Sequence, residues 1–175
     1  MTNEQLEALI MTCVSEKQGK RDFLPLYANV EAVDTLLATL AEPYRGKVDY
    51  VVSPEPMGLV LGSMLARELG VGFIALRKGR EGMPRFEDSI RAPYIDHRDQ
   101  VQTLELENGI IPAGSRILLA DDWVGTTATI QAARNIIDEA QVTLVGTVAL
   151  GADYNTAAAK SMLDSGAISC LVCRR

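Results

Sequence analysis

The chain is 175 residues long, 47% apolar and 23% charged, and its 17 basic and 23 acidic side chains leave a net charge of −6. That length and apolar share suit one well-packed domain and exclude a disordered chain, and no apolar run reaches the roughly 18–20 residues of a membrane span. The acidic balance argues against a nucleic-acid binder, the one histidine (His97) excludes multi-histidine metal sites, and the start MTNEQLEALIM, lacking a basic run, gives the expectation of a cytoplasmic protein.

In chain order, Glu4 to Lys17 carries Leu6, Leu9, Ile10, Cys13 and Val14 at helical spacing. The polar segment QGKRDFLPLYAN reads as a connection, and a helix follows from a cap at Asn29 to about Leu40. VDYVVS (48–53) is a strand, PEPMG a loop and LVLGSMLAREL (59–69) a helix that Gly70 stops. VGFIALR (71–77) is the next strand. The polar stretch from Lys78 to Arg116 is too long for an ordinary connection and predicts a functional flap or a β-excursion with strands near QVQTLEL. RILLADD (116–122) is a strand, TTATIQAARNIIDEA (126–140) a helix and VTLVGTVALG (142–151) a strand, before a short helix in NTAAAKSMLDSG and a last strand, AISCLVC. Strands rich in Val, Ile and Leu alternating with helices predict an α/β fold whose mainly parallel sheet is covered on both faces. Cys170 and Cys173 fall in the last strand, where odd spacing sends side chains to opposite faces, so they read as packed thiols rather than a redox or zinc motif.

Ligands of open α/β sheets bind at the carboxyl ends of the strands. Function is therefore expected at Ser53–Gly58, Arg77–Arg80 and Asp121–Thr129. From Arg77 to Arg98 the chain is locally +2, leaving −8 elsewhere, which suits a small polyanion. Asp121 and Asp122 end a buried strand, and a Gly/Thr-rich turn then enters a helix whose N-terminus is a natural phosphate seat. Thr126, Thr127 and Thr129 add hydroxyl donors. Two carboxylates beside that seat suit sugar hydroxyls, a metal ion or a cationic transition state. Phosphate and ribose held side by side imply a ribose 5-phosphate ligand. No GxxxxGK[ST] occurs and no GxGxxG follows a strand, which disfavours Walker-type and dinucleotide sites.

The run ILLADDWVGTTAT resembles the phosphoribosyl diphosphate (PRPP) motif of type I phosphoribosyltransferases, an apolar strand, DD, two residues, then ATGGT. VDYVVSPEPMGLVLGSMLARELGVGFIALRKG resembles the adenine-specific group's strand, acidic-x-x-Gly loop, helix, strand and Arg-Lys. KRDFLPLY is similar to that group's FRDISPVL-type segment, and RAPYIDHRDQVQTLEL to its SYSLEYG…ELE flap. The resemblance runs from about residue 18 to 150. It implies a three-layer fold in a single domain, 1–175, with an N-terminal helix and hood (1–30) and a flexible flap (78–108). It further implies Mg²⁺-dependent transfer of 5-phosphoribose from PRPP to a purine base in purine salvage, by a homodimer. Residue by residue, Asp121 and Asp122 would hold the ribose and stabilise its cation, and Val124, Gly125, Thr126, Thr127, Ala128 and Thr129 would bind the 5′-phosphate. Ser53, Glu55, Met57 and Gly58, with Arg77, Lys78 and Arg80, would meet the diphosphate. Arg21, Asp22 and Phe23 would belong to the hood over the base, with Trp123 lining the site. Asp96 or Asp99 would be the flap's acidic contributor, and no residue is assigned as a direct metal ligand. Three positions depart from the pattern: Thr127-Ala128 replaces Gly-Gly, Met57 stands where Arg is common, and His97-Arg98 occupy the flap acid's place. They leave open a PRPP-binding regulatory module without turnover, or a different base.

Overall fold

The computed structural model describes residues 1–13, 22–79, 84–96, 98–154 and 156–174. Helix α1 (Asn3–Thr12) opens on a capping box in which Thr2 and Gln5 satisfy each other's backbone N–H; its expected extension to Lys17 lies outside the described residues. The polar segment after it is not all connection. Leu24–Tyr27 forms a short helix, α2, because Pro25 pre-sets the first turn and Asp22 Oδ1 accepts the Leu24 N–H at 3.0 Å. Helix α3 (Val30–Ala41) is capped by Asn29, whose Oδ1 accepts the Ala32 N–H at 3.1 Å.

Strand β1 (Tyr50–Pro54) leads through a turn with a cis Glu55–Pro56 peptide into α4 (Gly58–Leu69), which Gly70 ends in the left-handed conformation at φ 71°. Then follow β2 (Gly72–Gly79), β3 (Ser89–Ile95), β4 (Val101–Glu107) and β5 (Arg116–Val124). Helix α5 (Ala128–Glu139), strand β6 (Thr143–Asp153), helix α6 (Ala157–Asp164) and strand β7 (Ser169–Arg174) complete the chain.

The seven strands lie in the order β3-β4-β2-β1-β5-β6-β7, parallel from β2 to β7, with β3 and β4 an antiparallel hairpin on the β2 edge. The predicted β-excursion is this hairpin. It pairs with β2 only at Arg77–Gly79, against Thr103–Glu105, so its tip projects past the carboxyl end of the parallel sheet. One core joins α1 to α4 to the sheet through residues such as Leu6, Phe23, Leu36, Leu61, Val51 and Leu118. The other joins α5, α6 and the hairpin to the opposite face through Val52, Leu119, Ile130, Ile136 and Leu104, with Met162 and Leu163 packed beside them. The expected three-layer α/β architecture is therefore the one observed. Among the described residues no helix is long and apolar enough to cross a membrane.

The alternation of faces breaks along one line across three strands. In β5, Leu118 and Ala120 face the α1–α4 core and Leu119 the other, but past the Asp pair Trp123 faces the first core and Val124 the second. In β6, Ala149 and Ala152 face the same core despite odd spacing, and in β7 the consecutive Leu171 and Val172 both pack on the α1–α4 side. The register aligns these breaks: Asp121 pairs with Ala149 and Ala149 with Cys170, while Val124 pairs with Ala152 and Ala152 with Cys173. This corrects the expectation that Cys170 and Cys173 point to opposite faces. With the phase shifted between them, their sulfurs lie 2.7 Å apart.

Candidate active site at the carboxyl ends of three strands

The ends of β2, β1 and β5 are neighbours in the sheet, so the three loops singled out in the sequence converge. At the end of β1, Glu55 is the hub. Its N–H donates to Leu76 O at 2.9 Å, and its carboxylate accepts the Lys78 N–H at 2.9 Å and Arg77 Nε at 3.2 Å. Burial pushes the Glu55 carboxyl upward, but these bonds and the Arg77 charge outweigh it and hold the group below its ordinary range. Arg85 adds a longer contact of 3.9 Å, drawing the start of the flap toward the same carboxylate. Met57 stands at the N-cap of α4 and Gly58 begins the helix, buried against β5. A Cβ at Gly58 would lie 2.8 Å from Asp121 Oδ1, so glycine lets the helix start touch the acidic pair.

Strand β5 runs beyond its expected end, through both aspartates to Val124, because Trp123 and Val124 continue the pairing with Gly151 and Ala152. The ring of Trp123 covers Gly151, where a Cβ would come within 2.3 Å of it. Asp121 is buried and its Oδ1 accepts the Asp122 N–H at 2.9 Å. Burial first, then the neighbouring Asp122 charge, pushes the Asp121 carboxyl well above the usual carboxylate range, with Lys78 opposing. Asp122, next in the strand, is half-buried.

The turn Gly125–Thr127 then enters α5. Thr127 adopts φ 63° and ψ −10°. The β-branched residue thus keeps the left-handed conformation that glycine supplies more easily. No side chain caps this helix, so its first-turn N–H groups point into the loop without a protein acceptor from a cap. A Cβ at Gly125 would meet nothing within 4 Å, so the turn is open on that side. Thr126 is exposed and Thr129 half-buried, whereas Val124 is buried in the core and offers only its backbone.

Other expected residues are placed differently. Ser53 is fully buried with Oγ facing Gly62, where a Cβ would come within 1.9 Å, so its hydroxyl points into the sheet–helix packing. Phe23 and Trp123 come together, ring centroids 6.1 Å apart and planes inclined by 24°, but both are buried and cover each other. They make a buried apolar pair between the start of α2 and the end of β5. Asp22 is exposed and caps α2. Asp96 lies at the hairpin tip, where Oδ1 accepts the N–H groups of Arg98 at 2.8 Å and Gln100 at 3.1 Å, and Asp99 follows at φ 58°. Arg21, Arg80 and His97 lie outside the described residues.

Two polar groups were not anticipated. The Tyr27 hydroxyl is buried with no hydrogen-bond partner among the described residues, and burial together with the Asp122 and Asp121 charges holds it protonated, far above its ordinary range. Glu105 is buried on β4, its carboxylate lying over Gly79 and accepting the Arg85 N–H at 2.9 Å. It ties the flap to the end of β2. The sequence offers Tyr27 only through its place in KRDFLPLY, and Glu105 only through the alternation of QVQTLEL.

The family model for the phosphoribosyl transferase domain matches residues 24–171. The chain belongs to the phosphoribosyltransferase family. Among curated relatives, the adenine phosphoribosyltransferase of Bifidobacterium longum is 33% identical over 129 residues, covering 72% of this chain and 65% of its own length. That of Lactobacillus acidophilus is 34% identical over 127 residues, covering 72% of this chain and 70% of the relative. The aligned part of this chain thus spans about two thirds of these relatives. Solved structures share the fold over nearly the whole chain. An adenine phosphoribosyltransferase from Thermoanaerobacter pseudethanolicus superposes with a TM-score of 0.81 at 23% identity, covering 98% of this chain and 99% of its own. The Giardia lamblia enzyme, solved with 9-deazaadenine, gives 0.83 at 22% identity, covering 100% and 99%.

Proposed function

We propose that this chain is a single-domain enzyme of purine salvage, transferring 5-phosphoribose from PRPP to a ring nitrogen of adenine or a related purine and releasing diphosphate. The observation that carries the reading is the β5–α5 junction: a buried Asp121, its carboxyl pushed upward, and a half-buried Asp122 ahead of an uncapped helix N-terminus, with Glu55, Arg77 and Lys78 on the neighbouring strand ends. The helix N-terminus and the Thr126–Thr129 groups bind the 5′-phosphate, while Asp122 faces the ribose hydroxyls. As the C1′–O bond to diphosphate breaks, positive charge gathers on the ribose ring and Asp122 stabilises it. The base nitrogen then bonds to C1′ and its N–H proton passes to water. Arg77 and Lys78 meet the diphosphate, and the hairpin closes over the carboxyl edge to keep water from the cation.

Among the described residues no cluster of three or more His, Cys, Asp or Glu side chains is arranged to hold a metal ion. Mg²⁺ prefers oxygen ligands and keeps several waters, so it would enter with the phosphate oxygens of PRPP. Bound there, it would supply positive charge against the leaving diphosphate. The relatives' adenine specificity, together with the buried Phe23–Trp123 pair, supports a purine as acceptor. A homodimer in the cytoplasm completes the proposal.

The test is incubation with PRPP, Mg²⁺ and a panel of nucleobases, following diphosphate and nucleotide together. Nucleotide forms with a purine, and Asp122→Asn lowers turnover about 10²–10³-fold, the scale of losing one group that stabilises transition-state charge. PRPP binding without turnover on any base would instead establish a regulatory module, a reading that Met57 in the diphosphate loop favours. Absence of PRPP binding would refute both.

A further inference from the structure

Cys170 and Cys173 lie on the terminal strand, two strands across from Asp121 and Val124 in the register, and neither is assigned a part in phosphoribosyl transfer. Both are free thiols, Cys170 half-buried and Cys173 exposed, with sulfurs 2.7 Å apart. Two extended residues at odd spacing do not meet in this way unless the faces lose their alternation between them. Here they do, since Leu171 and Val172 both pack on the α1–α4 core while Cys170 packs on the other. The two cysteines pair with Ala149 and Ala152 of β6, small neighbours that leave the sulfurs uncovered by bulk from that strand. The third cysteine, Cys13, is buried in the α1–α4 core.

We propose that Cys170 and Cys173 form a redox-active dithiol that a hydroperoxide closes to an intramolecular disulfide. Cys173, the exposed partner, attacks as its thiolate. Its sulfur bonds to one peroxide oxygen, the O–O bond breaks, and the departing oxygen takes a proton to leave as water, with Cys173 now a sulfenic acid. Cys170 Sγ then attacks Cys173 Sγ. The S–S bond forms, the S–O bond breaks, and the hydroxide leaves as a second water with the Cys170 proton. Two thiols are oxidised by two electrons and one hydrogen peroxide is reduced to two waters. Burial, with Cys173 as hydrogen-bond partner and neighbour, pushes the Cys170 thiol up to about 12, so it waits protonated while Cys173 reacts first. Closing the bond takes the sulfurs from 2.7 Å to a covalent separation of about 2.0 Å.

Trypsin cleavage after Lys160 and Arg174 releases residues 161–174, which hold both cysteines and no other. After treatment of the intact protein with hydrogen peroxide, this peptide is expected to be two hydrogens lighter, and free thiols to fall from the three of the sequence to one, reversibly with dithiothreitol. Cys13→Ser leaves the mass change of this peptide as it is, with free thiols falling from two to none. Cys170→Ser stops the reaction at a Cys173 sulfenic acid that dimedone traps. Three free thiols remaining after peroxide, disulfide-linked dimers, or a Cys173 sulfinic acid beside a free Cys170 would each overturn the proposal.

Discussion

Thr127→Gly measures the strain stored in the turn before α5. The native residue sits at φ 63° with its side chain buried, a conformation that costs a β-branched residue about 2 kcal/mol. Glycine recovers that strain. Against it stand about 1 kcal/mol for the lost burial of a methyl group and about 0.5–1 kcal/mol for the larger freedom of glycine in the unfolded chain. The opposing terms nearly cancel, so Thr127→Gly is expected to lie within about 1 kcal/mol of the native protein, a Tm change of no more than about 2–4 °C for a chain of this size. Thr127→Ala sharpens the comparison. Alanine keeps its Cβ and part of the strain, so glycine at 127 should be at least as stable as alanine, whereas inside a helix or strand alanine wins by about 0.5–1 kcal/mol. Calorimetry and urea unfolding of the three proteins decide it. A loss above about 2 kcal/mol for Thr127→Gly, or alanine more stable than glycine by 0.5–1 kcal/mol or more, would refute the strain argument. PRPP affinity should survive in Thr127→Gly, because the backbone N–H groups supply the phosphate seat.

Ser53→Ala removes a fully buried hydroxyl that has no hydrogen-bond partner among the described residues, so it is expected to raise stability by about 1 kcal/mol with kcat unchanged; a fall in Tm would show that Oγ is satisfied after all. Gly58→Ala would place a Cβ 2.8 Å from Asp121 Oδ1 and 3.2 Å from Pro54 Cδ. It should cost about 1–3 kcal/mol and displace the acidic pair. Its kcat/KM should fall even at temperatures where the variant stays folded, and full activity in a folded variant contradicts the role given to Asp121. Asp49 is held at about 2, below its ordinary 3.8, chiefly by side-chain hydrogen bonds from Arg116. A depressed carboxyl stabilises the fold above its unfolded pKa and loses that contribution as pH falls from about 4 through about 2. Asp49→Asn should therefore flatten the Tm profile in that window, and an unaltered acid slope would show the pair adds nothing.

The candidate site was legible where chemistry depends on residue type in sequence order. The Asp121-Asp122 pair, the Gly/Thr turn and the Arg77-Lys78 strand end announce themselves by composition at strand ends, and parallel topology brings those ends together. Orientation was less legible. Ser53 carries the right atom at the right place in the chain, yet Gly62 draws its hydroxyl into the packing. Tyr27 and Glu105 belong to segments whose partners are distant in sequence, so no local pattern marks them. Asp96 bears the acid the flap resemblance asks for, but backbone donors within its own turn already engage it.

An acidic chain with a locally basic flap was readable from composition alone, as was a mainly parallel sheet, because hydrophobic period and charge are properties of the linear order. Strand ends, face and protonation were decided by tertiary structure. β5 continues past the aspartates to Val124 because β6 is there to pair with it, and the Asp121 carboxyl is pushed above its ordinary range because it is buried against α4 and the sheet. Cys170 and Cys173 meet because a shift of phase runs across three paired strands. Such features arise from residues far apart in the chain competing for the same space, which no single strand's pattern records.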